Sequence, residues 1–255
     1  MSLITDQQIQ QFHEKGYFVT GPMFGPDQLD RFAREAERLE QDFIRQISEK
    51  GDAKDIENAK YRPFIGQAHS KSDFLAEWVK APVYLEACAR LIGPDADLYY
   101  NQIVTKPPEK GRYFGWHQDS GYVLTEPLDY ITCWTAISRT FIENGCIWII
   151  PGSHKWGLQE HVYSEEFREY QVKVDETDAI PVEMQPGQVA IFSSLLLHKS
   201  GANVSKEIRR GYVPQYHVPA VYWPHIKGPG GDQFPVLRNG KRWDGEPNGR
   251  DTLSH

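Results

Sequence analysis

Trp116-His117-Gln118-Asp119-Ser120-Gly121-Tyr122 is the stretch on which the reading of this chain turns. His117 and Asp119 are two positions apart. In an extended strand, residues i and i+2 project to the same face, so an imidazole and a carboxylate converge on one point. A third donor, His198, follows the apolar segments Val189-Ala190-Ile191-Phe192 and Leu195-Leu196-Leu197, which read as a buried strand. Two histidines and one carboxylate on one face of a metal ion leave the opposite positions open, the donor set of non-haem Fe(II) oxygenases. A His-x-Asp triplet alone occurs by chance. Its place at a strand end, with a histidine at the end of another strand, gives it weight.

Outward from the triplet the chain reads as β structure. Strands are expected over 98–105, 113–119, 130–137, 146–150, 179–184, 188–193 and 208–218, punctuated by Lys106-Pro107-Pro108, Pro151-Gly152-Ser153 and Gln185-Pro186-Gly187. Seven or eight strands with such turns point to an antiparallel barrel or jelly roll. The residues before Asp97 read differently. Thr5 and Gln8 form a capping-box pair for a short helix stopping near Gly16, and Tyr17 to Thr20 suits a short strand. Leu29, Phe32, Ala33, Ala36, Leu39, Phe43 and Ile47 recur at helical spacing after Pro26, which predicts a long helix ending near Gly51. Pro82 opens another helix that closes before Gly93-Pro94. The expectation is a mainly β protein with N-terminal helices. It has one domain over 1–255, with a helical front (1–96), a jelly-roll core (97–218) and a loop-rich tail (219–255). The polar segment 52–72 is expected as a connection.

Bulk properties exclude several classes. The formal charge is −7 and no basic tract stands out, which argues against a nucleic-acid partner. No apolar run approaches the length of a membrane span. The three cysteines, Cys88, Cys133 and Cys146, lack CxxC spacing and read as buried thiols of a reducing compartment. With no secretory signal pattern visible, a cytoplasmic location is the expectation. Nothing in the sequence sets an oligomeric state.

The motifs Lys106-Pro107-Pro108, Trp116-His117-Gln118-Asp119, Cys133-Trp134-Thr135-Ala136, Asn144-Gly145-Cys146, Pro151-Gly152-Ser153-His154-Lys155, Pro186-Gly187 and His198-Lys199-Ser200, leading through Asn203 to Arg209, keep a consistent order. In these the chain resembles the phytanoyl-CoA dioxygenase family of Fe(II)/2-oxoglutarate oxygenases. The resemblance implies a double-stranded β-helix, a cupin-like jelly roll. It implies Fe(II) held by His117, Asp119 and His198, and 2-oxoglutarate near Gln102, Gln118, Trp134, Ser200 and Arg209, with O₂ as oxidant. Gln102 shares strand parity with Leu98, Tyr100 and Val104. An upstream basic contact of the family has no clear counterpart; Arg62 is a weak candidate, and a surface role for it is favoured.

The distal carboxylate of 2-oxoglutarate needs a charge-assisted partner, which a guanidinium supplies with two parallel hydrogen bonds. Arg209 and Arg210 are adjacent, so only one faces the barrel interior. Arg209 is the choice, sharing its face with Gly211, Val213 and Gln215, and Arg210 is left as a surface residue. Halogenases related to the family replace the metal carboxylate by a small residue, so Asp119 favours hydroxylation of a small-molecule substrate. Tyr122 and Trp148 are candidate substrate-wall residues, and His154 belongs to a turn shaping the pocket rim. Two alternatives stand beside this reading: a catalytically silent cupin-like binding protein, and a metal-dependent hydrolase using a His/Asp/His site. The survival of all three ligand types and of the arginine disfavours the first, and the second gives Arg209 no natural place. No GxSxG elbow surrounds Ser193 and Ser194, so a serine hydrolase is not supported.

Overall fold

A computed structural model describes residues 2–50, 63–109, 112–165 and 169–245. Arg62, most of the 52–72 segment and the last ten residues of the tail lie outside them. The chain opens with α1 (Asp6–Lys15), β1 (Tyr17–Val19) and α2 (Pro26–Lys50). β2 (Phe64–Gly66), α3 (Asp73–Trp78) and α4 (Pro82–Leu91) follow. Next come β3 (Ala96–Lys106), β4 (Phe114–His117), β5 (Ile131–Ala136) and β6 (Ile147–Ile149). The short β7 (Val162–Ser164) and β8 (Glu169–Gln171) form a separate hairpin. β9 (Ile180–Val182), β10 (Val189–Ser193), β11 (His198–Ser200) and β12 (Arg209–His217) complete the barrel. The tail adds β13 (Tyr222–Trp223), β14 (Gly228–Pro229), β15 (Phe234–Arg238) and β16 (Lys241–Arg242).

Two antiparallel sheets face each other. The major sheet runs β1-β10-β5-β12-β3-β15-β16, with β2 also on β3; the minor sheet runs β4-β11-β6-β9. This is the expected mainly β jelly roll with a helical front. The helices cover the outer face of the major sheet. Ile191, Cys133, Ile131, Tyr212, Tyr216 and Ile103 point outward and meet Phe12, Phe32, Trp78 and Tyr84. The alternate residues Ala190, Phe192, Trp134, Ala136 and Val213 point inward and meet Ile147 and Ile149 of the minor sheet. Period-two alternation thus sorts each strand between two apolar layers.

The caps follow the sequence closely. Thr5 accepts from the Gln8 backbone N–H and Gln8 returns the bond to Thr5 N, while Gly16 ends α1 in the left-handed region at φ 83°. Three expectations need correction. Arg210 is not a surface residue. It is 4% exposed, because the second face of β12 lies under α2 rather than in water, and its guanidinium pairs with Glu40 at 3.0 Å. Nor is the tail simply a surface loop. β15 pairs with β3 and buries Val236 and Leu237, a strand the Gly- and Pro-rich surroundings obscure. The parity of β3 breaks as well. Its register shifts opposite Gln215/Tyr216, so Leu98 joins the outer core while Tyr99 and Tyr100 both face the interior.

Candidate active site

His117 is the last residue of β4 and His198 the first of β11, and the two are direct partners across the minor sheet. Their side chains therefore leave the sheet together, with ring centroids 4.0 Å apart. Gln118 keeps an extended backbone (φ −117°, ψ 138°), so the two-residue repeat carries past the strand end to Asp119, which opens a turn of 3₁₀ helix. Asp119 Oδ1 lies 3.9 Å from His117 Nε2 and 3.6 Å from His198 Nε2. One ligand atom from each residue falls within 4.8 Å of the others, a cluster that can hold a metal ion.

The surroundings fix which atom of each residue is turned to the cluster. His117 Nδ1 lies 2.8 Å from Gly115 O, and His198 Nδ1 lies 2.9 Å from Leu196 O. A carbonyl only accepts, so each Nδ1 carries the proton and each Nε2 presents its lone pair to the cluster. Asp119 Oδ2 accepts from Thr132 Oγ1 at 2.5 Å, which leaves Oδ1 for the ion; Gln215 Nε2 approaches the same hydroxyl at 3.3 Å. Two imidazoles and one carboxylate, each tied back by its other polar atom, fit a divalent transition metal.

The cluster opens into a cavity of 1410 Å³ between the sheets. Gln102, Trp134, Ser200 and Arg209 all line it, together with Val213 and Gln215 from the Arg209 face of β12. Arg209 is 1% exposed, and its Nε and Nη2 donate to Gly145 O at 3.0 and 2.8 Å. Its guanidinium sits 5.2 Å from the centre of the Trp134 ring. That ring needs Gly211, since a Cβ there would stand 2.2 Å from Trp134 Cζ2. The Asn144-Gly145 turn thus does more than reverse the chain: it offers the carbonyl that aims Arg209.

Gln118 is not brought to the cavity. It is fully buried, its Nε2 donates to Gly157 O and Leu195 O, and its Oε1 accepts from Gln159 N. Those bonds tie the ligand loop to its neighbours, and the expected place beside the cosubstrate is not seen, because Gln118 points to the opposite side of the strand from His117 and Asp119. Trp148 also faces away and packs with Trp116 and Leu197, whereas Tyr122 lines the cavity with its ring 5.6 Å from His117. His154 does not reach the cavity lining; its Nε2 meets His13 O at 3.3 Å. His161 receives the Gln118 N–H at 3.0 Å.

Lys106 is the residue that sequence reasoning passed over. It is 1% exposed, lines the cavity, and places Nζ 2.8 Å from Ser200 Oγ. It is the register partner of Arg209. The available signal was parity: Lys106 shares the face of Gln102 and Val104.

Among the described residues, no helix is long and apolar enough to cross a membrane. A probable phytanoyl-CoA dioxygenase of Caenorhabditis elegans is 28% identical over 236 residues, 84% of this chain and 76% of that protein. Among solved structures, the epimerase SnoN in complex with Fe3+, alpha ketoglutarate and nogalamycin RO has a TM-score of 0.69 at 17% identity, covering 91% of this chain and 98% of that one. EctD from S. alaskensis, solved with 2-oxoglutarate and 5-hydroxyectoine, has a TM-score of 0.67 at 20% identity, covering 87% and 79%. The jelly roll is therefore the fold of Fe/2-oxoglutarate oxygenases. Residues 12–211, from α1 through the cavity arginine, match the phytanoyl-CoA dioxygenase family, and the chain belongs to it.

Proposed function

We propose that the protein is an Fe(II)- and 2-oxoglutarate-dependent dioxygenase that hydroxylates a C–H bond of a small molecule, releasing succinate and CO₂. The observation that carries this reading is the joint placement in one cavity of the His117/Asp119/His198 cluster and the buried Arg209 guanidinium. His117 and His198 would hold the ion through Nε2 and Asp119 through Oδ1. Bound iron, with 2-oxoglutarate and O₂, supplies the oxidising chemistry.

The chain's own residues do the positioning. Arg209 and Lys106 meet the distal carboxylate of 2-oxoglutarate, with Ser200 beside them. The Trp134 ring keeps water from the guanidinium, which strengthens its bond to the carboxylate. Gln102 lines the same wall. Thr132 holds Asp119 so that one oxygen stays turned to the metal. The carboxylate of Asp119 occupies the position a halide would need, which favours hydroxylation over halogenation. Cys88, Cys133 and Cys146 are buried free thiols, which supports a reducing, cytoplasmic setting.

The test is anaerobic addition of Fe(II) and 2-oxoglutarate. A weak visible metal-to-ligand charge-transfer band should appear, and should be lost in Asp119→Ala. Iron demonstrably bound with no such band overturns the reading.

A further inference from the structure

Beyond the metal cluster the cavity extends along β3 toward the tail, and its wall changes character. Asp73, Asp97 and Asp232 line that side, with Arg238 as the cation. Arg238 is already paired with Asp97 at 2.5 Å. Tyr99, Tyr100, Trp223 and Phe234 supply aromatic surface around them.

Asp232 is the member without a full set of partners. Its side chain is 9% exposed. Oδ1 accepts from Gln67 Nε2 at 2.9 Å, while Oδ2 has no hydrogen-bond partner. His69 Nδ1 is 3.7 Å from Oδ2 but has no proton to give. Asn101 Oδ1 accepts from His69 N and from Tyr212 Oη, both at 3.0 Å, so the Asn101 amide turns its Nδ2 to His69 Nδ1 at 2.7 Å. The His69 proton is thereby placed on Nε2. Lys71 donates to Gly66 O at 2.6 Å, and its charge favours the ionised Asp232 through space without a hydrogen bond to Oδ2.

The loop before β15 holds Asp232 in this place. Asp232 N donates to Tyr99 O at 2.9 Å. Gly231 sits at φ 77°, and a Cβ there would lie 2.6 Å from the Tyr99 ring. A buried carboxylate oxygen without a donor is costly, and burial pushes the Asp232 pKa up to about 6. A carboxylate set among aromatic faces is the environment that recognises a cationic nitrogen.

We propose that the substrate carries a cationic nitrogen, of the amine class, directed at Asp232, and that this acidic wall selects against the phosphates of a coenzyme A thioester. This rests on the oxygenase reading and names its substrate class. A coenzyme A moiety would bring several phosphates, which need arginine or lysine partners. Apart from Lys106 and Arg209, the cations among the described lining residues are Lys199 and Arg238, paired with Glu176 and Asp97. The net charge of −7 also opposes a polyanion.

The experiment uses the full chain loaded anaerobically with Fe(II) and 2-oxoglutarate. It compares 4-phenylbutylamine, 5-phenylpentanoate and coenzyme A by quenching of tryptophan fluorescence, since Trp134 and Trp223 line the cavity. The amine should bind about tenfold or more tightly than the carboxylate, and coenzyme A should not bind. Asp232→Asn should abolish that preference and Asp232→Glu should keep it. The proposal is overturned if the wild-type protein shows no amine preference, if coenzyme A binds as well as the amine, or if Asp232→Asn retains the preference. The wild-type comparison decides even if a variant does not fold. The charge-transfer band is read on the same sample. A band with no amine preference refutes the substrate class alone, whereas bound iron without a band refutes the oxygenase reading.

Discussion

Thr132→Val tests whether the metal cluster is held from behind. Thr132 is fully buried and donates to Asp119 Oδ2 at 2.5 Å. Valine keeps the shape and removes the hydroxyl. The carboxylate then loses a charge-assisted bond, and the Gln215 amide at 3.3 Å loses an acceptor. Removing an outer partner of a metal ligand typically weakens metal affinity by about 10- to 100-fold, or roughly 1.4–2.8 kcal/mol. The low end applies if Gln215 moves in to bond Asp119 directly. The assay is anaerobic calorimetric titration with Fe(II), beside thermal melts that separate lost affinity from lost fold. Thr135→Val is the matched control. Thr135 lies on the same strand, but its hydroxyl faces the helices and meets Tyr84 Oη at 2.5 Å. It should lower stability and leave iron affinity unchanged. Iron binding within twofold of wild type in Thr132→Val, or equal weakening in Thr135→Val, refutes the reasoning.

Arg209→Ala should weaken 2-oxoglutarate binding by about 2–5 kcal/mol in a titration, while Arg210→Ala should leave that binding near wild type. Arg210→Ala should instead cost about 3–5 kcal/mol in denaturant unfolding, because it strands Glu40 on the buried face of α2; the reverse ranking would exchange the two roles. Leu237→Ala should cost about 2–5 kcal/mol if β15 is part of the core, and well under 1 kcal/mol if the tail only coats the surface. Burial holds His69 and His217 down to about 4, so between pH 6.5 and 4 the unfolded chain binds protons that the folded one refuses, and stability falls as pH falls through that window. Asp232, raised to about 6, acts in the opposite sense, so the clean readout is a difference: melting temperature should fall less steeply from pH 7 to 4.5 in His217→Gln than in wild type, and equal slopes would count against a neutral buried His217.

What could be read from the sequence was what depends on local repeat. The Thr5/Gln8 cap, the apolar face of α2, the Arg209-Gly211-Val213-Gln215 face and the His117/Asp119 pair all follow from offsets of two to four residues. What could not be read depends on which distant strand lies opposite. Thr132 finds Asp119, Lys106 finds Ser200, and Asp232 is placed beside Tyr99, through pairings between segments far apart in the chain. The same limit applies to Arg210, whose sequence neighbourhood says nothing about the helix above it. The register of β11 shows how much rests on these pairings. His198 sits opposite both His117 and Ile149, and Lys199 opposite Trp148. A slip of one residue would turn His198 away and put Lys199, an ammonium, beside Asp119. Two bonds oppose the slip: Leu197 N donates to Ser153 Oγ at 2.9 Å, and Leu196 N to Ser193 O at 2.9 Å. The apolar Leu196-Leu197 pair adds to them by dividing between the inner core and the Trp116 cluster, an arrangement that a slip would invert. The third ligand is therefore delivered by a serine turn and two leucines, of which Leu196 also holds His198 Nδ1 through its carbonyl.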